Sequence, residues 1–292
     1  RSIRFEALDF NDSCEYRVGD HVRTPSSLSL HKGVYERMVE EFNNGECLPV
    51  TLTTYCESPP GSGLGASSTL TVAMIQAFAE LLKLPMGEYD VAQLAYQIER
   101  NDLKLSGGKQ DQYAATFGGF NFMEFYSDDR VIVNPLRIKP NVISELEASM
   151  VLYYTGMSRD SSLIVSQQSR NVASRKLESV KAMHEVKSEA VAMKESILVG
   201  DIGRFAEVMR RGWAAKKKTA IKVSNSEIDR IYDLAIKSGA HAGKISGAGG
   251  GGFMILISDP MNKPKLENVL RNEVGRLYTA RFTEHGAISW KI

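Results

Sequence analysis

No apolar run in this sequence approaches the roughly 18 residues that a membrane-spanning helix needs, so no membrane partner is expected. No secretory signal pattern opens it either. Cysteine is scarce. Cys14, Cys47 and Cys56 form an odd set without paired spacing, which argues against a disulfide framework and for a reducing, cytoplasmic compartment. The five histidines are scattered and make no ligand cluster with cysteine. An excess of one charge is missing too: 36 Lys plus Arg stand against 35 Asp plus Glu, a net of +1. So weak a bias argues against a dedicated nucleic-acid binder, although it leaves room for a local basic pocket. There is no internal repeat. The opening RSIRFEALDF enters strand-like alternation without a Met, and a further N-terminal segment is expected to precede it.

What is present reads as a globular α+β chain. Its 292 residues, 43% hydrophobic and 24% charged, suffice for one large or two ordinary domains. Residues 3–8 and 50–57 have strand composition, with a helical period over 29–42 between them. A helix is expected over 67–83, with Leu70, Ala73, Met74, Ala77, Phe78 and Leu81 on its apolar face and Pro85 closing it. A second, over 89–103, sets Val91, Leu94, Ala95 and Ile98 inward, with Glu99 beside that face. Residues 106–120 read as a glycine-bounded loop with a short central helix. A second unit is expected from about residue 147, giving domains 1–146 and 147–292. It holds a buried strand (SMVLYYTG), a long helical stretch over 161–198, two further helices, a glycine turn entering an apolar strand over 244–258, and a last strand near 278–282.

Two glycine loops draw attention. PPGSGLGASS, residues 59–68, runs directly into the helix pattern. It lacks the Gly-Lys-Ser/Thr ending of a P-loop, and Gly61, Gly63 and Gly65 do not have dinucleotide-fingerprint spacing. Glycines allow close backbone approach, and the first turn of a helix attracts an anion. Equally, Ser67 or Ser68 would make a plain helix cap. Gly247, Gly249 and Gly252 do satisfy G-x-G-x-x-G, but they lead into a strand where a dinucleotide site needs a helix. That loop is either a close backbone approach to a ligand or a tight hairpin against a neighbouring element. Asp111, two residues from Lys109 and near a short helix start, should stay ionised and is able to orient a hydroxyl or take its proton. Arg159, in a loop after the buried strand, and Lys217, within MRRGWAAKKKTAIK, are candidate cations for a phosphate. A solvated surface is the plain alternative for both.

PPGSGLGASS and KISGAGGGGF, in this order, resemble the two glycine motifs of the GHMP small-molecule kinases, the family of galactokinase, homoserine kinase and the mevalonate kinases. LAYQIERNDLKLSGGKQDQYAATFGGFNFMEF, YYTGMSRDSS and HGAISWKI are similar to its D-glycero-D-manno-heptose 7-phosphate kinases. The family's N-terminal strand with an Arg-Pro-Gly-like turn has no match. The resemblance implies a two-domain fold, ribosomal protein S5 domain 2-like then ferredoxin-like. It implies transfer of the γ-phosphoryl of ATP to the anomeric hydroxyl of a sugar phosphate, with Mg²⁺. By the same resemblance, Pro60, Gly61, Ser62, Gly63, Leu64, Gly65, Ala66, Ser67 and Ser68 wrap the triphosphate. Ser67 and Glu99 hold magnesium. Asp111 faces the accepting hydroxyl, with Lys109 keeping it ionised or touching a phosphate. Gly247, Ala248, Gly249 and Gly250 border the phosphates and acceptor, and Arg159 and Lys217 serve the substrate's own phosphate. Ala66 stands where several relatives have serine. A kinase for another sugar such as fucose, a non-catalytic nucleotide- or sugar-binding relative, and a homodimer remain compatible with it.

Overall fold

Strand β1 (Ser2–Ala7) alternates outward and inward residues, and so sends Ile3, Phe5 and Ala7 into a core. The structure, a computed structural model, describes residues 2–17, 28–59, 61–157, 161–279 and 281–292. β1 turns through Asn11, at φ 49°, into the antiparallel β2 (Asp12–Arg17). It also pairs in parallel with β3 (Thr51–Thr54), so that the sheet runs β2-β1-β3. Parallel pairing requires a crossover, and helix α1 (Ser29–Phe42) supplies it, burying Val34, Tyr35 and Met38. Helix α2 (Ala66–Leu82) adds Val72, Ile75 and Phe78 to the same core, and α3 (Glu88–Gln97) adds Val91, Leu94 and Ala95. Burying side chains of this kind stabilises by about 1.5–3 kcal/mol each, which fixes the rotation of each helix about its axis.

The expected inward face of α2 is partly wrong. Met74 and Phe78 are buried, but Ala73, Ala77 and Leu81 are exposed, and Thr71, Val72, Ile75 and Ala79 are buried in their place. An alanine-rich helix that packs against α1, α3 and α4 (Gln110–Phe117) has no polar stripe to mark its outer side. The helix expected over 89–103 ends as α3 at Gln97 and continues as one π-turn, Ile98–Asp102, in which the Leu103 N–H donates to the Ile98 carbonyl at 2.9 Å.

The other unit is built on an antiparallel sheet of order β7-β8-β6-β9, formed by β6 (Met150–Tyr154), β7 (Ala240–Ile245), β8 (Phe253–Ser258) and β9 (Arg276–Tyr278). Helices stand between β6 and β7 and between β8 and β9. The order is therefore that of a βαββαβ ferredoxin-like sheet, as expected. The long helical stretch is two helices, α6 (Ser161–Ala173) and α7 (Leu177–Val199). Arg175, at φ 51°, breaks it where no glycine or proline signals a stop. Then follow α8 (Ile202–Lys217), α9 (Ser226–Lys237) and α10 (Lys263–Leu270). A hairpin of β4 (Asn121–Phe125) and β5 (Val131–Pro135) precedes α5 (Pro140–Ser149).

The two compact units do not coincide with a division at residue 146. One comprises Arg1–Pro59, Gly65–Gly119 and Thr283–Ile292; the other comprises Pro60–Leu64 and Phe120–Phe282. The physical reason lies in packing. Val142 and Leu146 of α5 share a core with Ile197, Met209 and Ile257, and Phe120 packs on Phe282 with ring centroids 4.6 Å apart. Among the described residues, no helix is long and apolar enough to cross a membrane. Cys14, Cys47 and Cys56 are all free.

Candidate active site

In the first unit, the start of α2 is not the plain serine cap. Its N-cap is Gly65 in the left-handed region, at φ 77°, and no side chain caps the first turn. Gly65 is needed twice over. That φ disfavours other residues, and a Cβ there would stand 3.1 Å from the Cγ of Asp111. Ser67 and Ser68 lie inside the first turn and turn their hydroxyls to Glu99. Ser67 Oγ donates to Glu99 Oε1 at 3.0 Å, and Ser68 Oγ donates to Oε2 at 2.8 Å.

Glu99 sits within the π-turn and is only 1% exposed, although the amphipathic pattern placed it merely beside the apolar face. The Arg100 guanidinium is 3.6 Å from Oε2. It also donates to the carbonyls of Leu105 and Gly108, which ties the glycine-bounded loop to the π-turn. Gln112, fully buried, donates from Nε2 to the same Oε2 and, at 3.1 Å, to Ser68 Oγ. Asp111 precedes it in the first turn of α4, exposed and beside Gly65. Lys109, at the N-cap of α4, holds its Nζ 4.8 Å from the centroid of the Tyr96 ring. The structure thus gathers Gly65, Ser67, Ser68, Glu99 and Asp111. Gln112 and Arg100 were not found by sequence reasoning, because neither the period nor the composition signals which side chains will meet a buried carboxylate.

The residues present fit a magnesium ion. Mg²⁺ takes oxygen ligands at about 2.0–2.1 Å in an octahedron, so neighbouring ligands stand about 2.9 Å apart, and it keeps several waters. Ser67 Oγ and Glu99 Oε1 are separated by 3.0 Å, with Ser67 on the exposed side. Among the described residues no cluster of three or more His, Cys, Asp or Glu could hold a metal alone. A hydroxyl and one carboxylate that leave the remaining positions to phosphate oxygens and water agree with that habit.

In the second unit, the glycine-rich loop after β7 packs against residues 61–64. Ser246 Oγ donates to the Gly63 carbonyl at 2.9 Å, and the Phe253 N–H donates to the Ser62 carbonyl at 3.0 Å. A Cβ on Gly247 would stand 2.8 Å from the Gly63 carbonyl, and one on Gly249 would stand 2.6 Å from that of Val223. The close approach that these glycines permit is therefore, at least in part, to the chain's own backbone. Lys217 is ion-paired with Asp229 at 3.2 Å, and it is Lys216 that reaches the loop, donating to the Gly247 carbonyl. Ala248 is half-buried against the core of this unit. Pro60 and Arg159 lie outside the described residues.

Comparison with known proteins agrees with both halves. The pattern of the GHMP kinases N terminal domain matches residues 29–119, and that of the GHMP kinases C terminal matches residues 193–276. A D-glycero-alpha-D-manno-heptose 7-phosphate kinase of Campylobacter jejuni is 48% identical over 99% of this chain and 85% of its own length. The crystal structure of a D-glycero-D-manno-heptose 1-phosphate kinase from Bacteroides thetaiotaomicron is 40% identical, with a TM-score of 0.82 over 100% of this chain and 83% of that one. Lactococcus lactis galactokinase, at 16% identity and a TM-score of 0.74 over 98% of this chain and 83% of that one, shares the fold. By these matches, over nearly its whole length, the chain belongs to the GHMP kinases.

Proposed function

We propose that this chain is an ATP-dependent kinase of D-glycero-D-manno-heptose 7-phosphate that phosphorylates the anomeric hydroxyl and yields the 1,7-bisphosphate for nucleotide-activated heptose, a precursor of surface polysaccharide, in the cytoplasm. The observation that carries the reading is the 48% identity with the Campylobacter jejuni kinase over 99% of the chain. The grouping of Ser67, Glu99 and Asp111 around the start of α2 supports it.

Phosphoryl transfer needs alignment and charge neutralisation more than covalent help. Magnesium, when bound, neutralises phosphate charge, and Ser67 Oγ and Glu99 Oε1 are the groups that would hold it. The uncapped first turn of α2 presents N–H groups and the positive end of its dipole to phosphate oxygens. Gly65 keeps that approach open. Asp111 orients the anomeric hydroxyl and takes its proton. The bond from the anomeric oxygen to the γ-phosphorus forms as the bond from phosphorus to the ADP oxygen breaks. Lys216, Lys217 and Arg159 are candidate cations for the phosphate that the sugar already carries. Lys217 would have to leave Asp229 to serve, whereas Lys216 already lies against the glycine loop.

One observation favours a second acceptor: the Bacteroides thetaiotaomicron relative is described as a heptose 1-phosphate kinase. Turnover of heptose, heptose 7-phosphate, heptose 1-phosphate and fucose, with the products identified by ³¹P NMR, decides between them. The expected result is a kcat/KM for heptose 7-phosphate at least about 100-fold above those of heptose and fucose. Equal values for phosphorylated and unphosphorylated heptose would remove the acceptor assignment.

A further inference from the structure

The two oxygens of Glu99 are held unequally. Oε2 faces inward and receives Ser68 Oγ and Gln112 Nε2, with the Arg100 guanidinium 3.6 Å away. Oε1 receives the exposed Ser67 hydroxyl. Gln112 is fully buried, and its Oε1 has no hydrogen-bond partner among the described residues. A buried amide with an unpaired oxygen is a poor choice for packing alone, because its burial is not offset on that side. Its nitrogen side explains it. Its Nε2 reaches both the Glu99 carboxylate and the Ser68 hydroxyl that donates to that same oxygen. With the amide flipped, its oxygen would face a carboxylate oxygen, so the orientation follows from the charge. Gln112 also follows Asp111 directly in the first turn of α4. Its grip on Glu99 therefore ties the π-turn to the turn that carries Asp111.

We infer that Gln112 is a positioning residue: with Ser68 it pins Glu99 Oε2 from inside, so that Oε1 is presented beside Ser67 as a preorganised magnesium ligand. This rests on the reading of Ser67 and Glu99 as the magnesium pair. Partners that orient a metal-binding carboxylate usually matter 10- to 100-fold in metal affinity.

The test uses the full chain carrying Gln112→Met, which keeps the length and removes both donors. Mn²⁺ binding is followed by electron paramagnetic resonance with a non-hydrolysable ATP analogue bound, alongside the Mg²⁺ dependence of turnover. The expected result is an apparent metal constant raised about 10- to 100-fold. Turnover should fall at low Mg²⁺ and recover as Mg²⁺ is raised, and analogue affinity without metal should be unchanged. A purely structural role would lower Tm and leave the metal constant of the folded fraction alone; that result overturns the inference. If Gln112→Met does not fold, Ser68→Ala removes another donor to the same oxygen, and an unaltered metal constant there overturns it equally. Glu99→Gln separates the two failures. Weakened Mn²⁺ binding in Glu99→Gln with normal binding in Gln112→Met defeats the positioning role alone, whereas normal binding in Glu99→Gln defeats the magnesium reading and this inference together.

Discussion

Asp111 and Glu99 are carboxylates 12 residues apart in sequence with opposite surroundings: Glu99 is buried under three hydrogen-bond donors with the Arg100 guanidinium 3.6 Å away, whereas Asp111 is exposed beside Gly65. On the roles proposed above, Asp111 needs access to a substrate hydroxyl, and Glu99 needs partners that fix its orientation. Asp111→Asn keeps the shape and removes the proton acceptor. General-base help is worth about 10²- to 10⁴-fold, and a loose phosphoryl transition state asks little of it early. A fall of about 100-fold in single-turnover rate is expected, with the Mg²⁺ constant and nucleotide affinity little changed. An undiminished rate would move the assignment to another group near the acceptor oxygen. His31 illustrates a residue matter of stability instead. It is buried in the first core, with Nε2 2.9 Å from Thr54 Oγ1 and Nδ1 lacking a partner among the described residues. Burial holds its imidazole below the ordinary histidine value, against the opposing influence of the Glu6 backbone carbonyl and Asp9. The unfolded chain then binds a proton that the folded chain refuses, so stability falls as pH drops below about 6.5. Denaturant unfolding of the first unit at about pH 7.5 and pH 5.5 should show a smaller loss in His31→Gln than in the parent. An equal loss in both would exonerate His31.

Elements differ in how much of them a sequence shows. Helix α1 was legible over Ser29–Phe42 because its buried Val34, Tyr35 and Met38 recur at helical spacing between charged residues. The short helix inside the glycine-bounded loop was legible too, and so were the strands β6 and β8, as uninterrupted apolar runs. α2 was placed correctly in length, but its rotation was misread, because three helices pack around it and alanine marks no side. The end of α3 was hidden for another reason. A π-turn inserts its extra residue without any change in composition, and it is this insertion that occurs at Glu99. The glycine motifs announced close approach but not to what: the loop after β7 meets residues 61–64, Met157 and Val223. The candidate carboxylates were visible through their motifs. Their hydrogen-bond partners were not, since Ser68, Gln112 and Glu99 come from three separate elements.

At the scale of the molecule, the chain leaves its first unit after Gly119 and comes back to it for residues Thr283–Ile292. The returning segment lies on α4. The Ala287 N–H donates to the Ala115 carbonyl at 3.0 Å, and Gly286 is pressed so close to the Thr116 carbonyl that a Cβ has no room. Gly118, at φ 60°, lies equally close to the backbone of His285 and Gly286. The last ten residues thus brace the helix whose first turn carries Asp111 and Gln112. The unfolding of such a chain need not be two-state, so the test is local. Gly286→Val forces the segment off α4 and is expected to destabilise the first unit by about 2–3 kcal/mol. Hydrogen exchange should then quicken at the amides of α4 while those of β8 in the other unit keep their protection. Because Asp111 and Gln112 ride on α4, turnover should fall with that protection. A folded variant with parental exchange in α4 would show that the segment merely covers the helix. Faster exchange in α4 at full turnover would show that the first turn keeps its geometry without the brace.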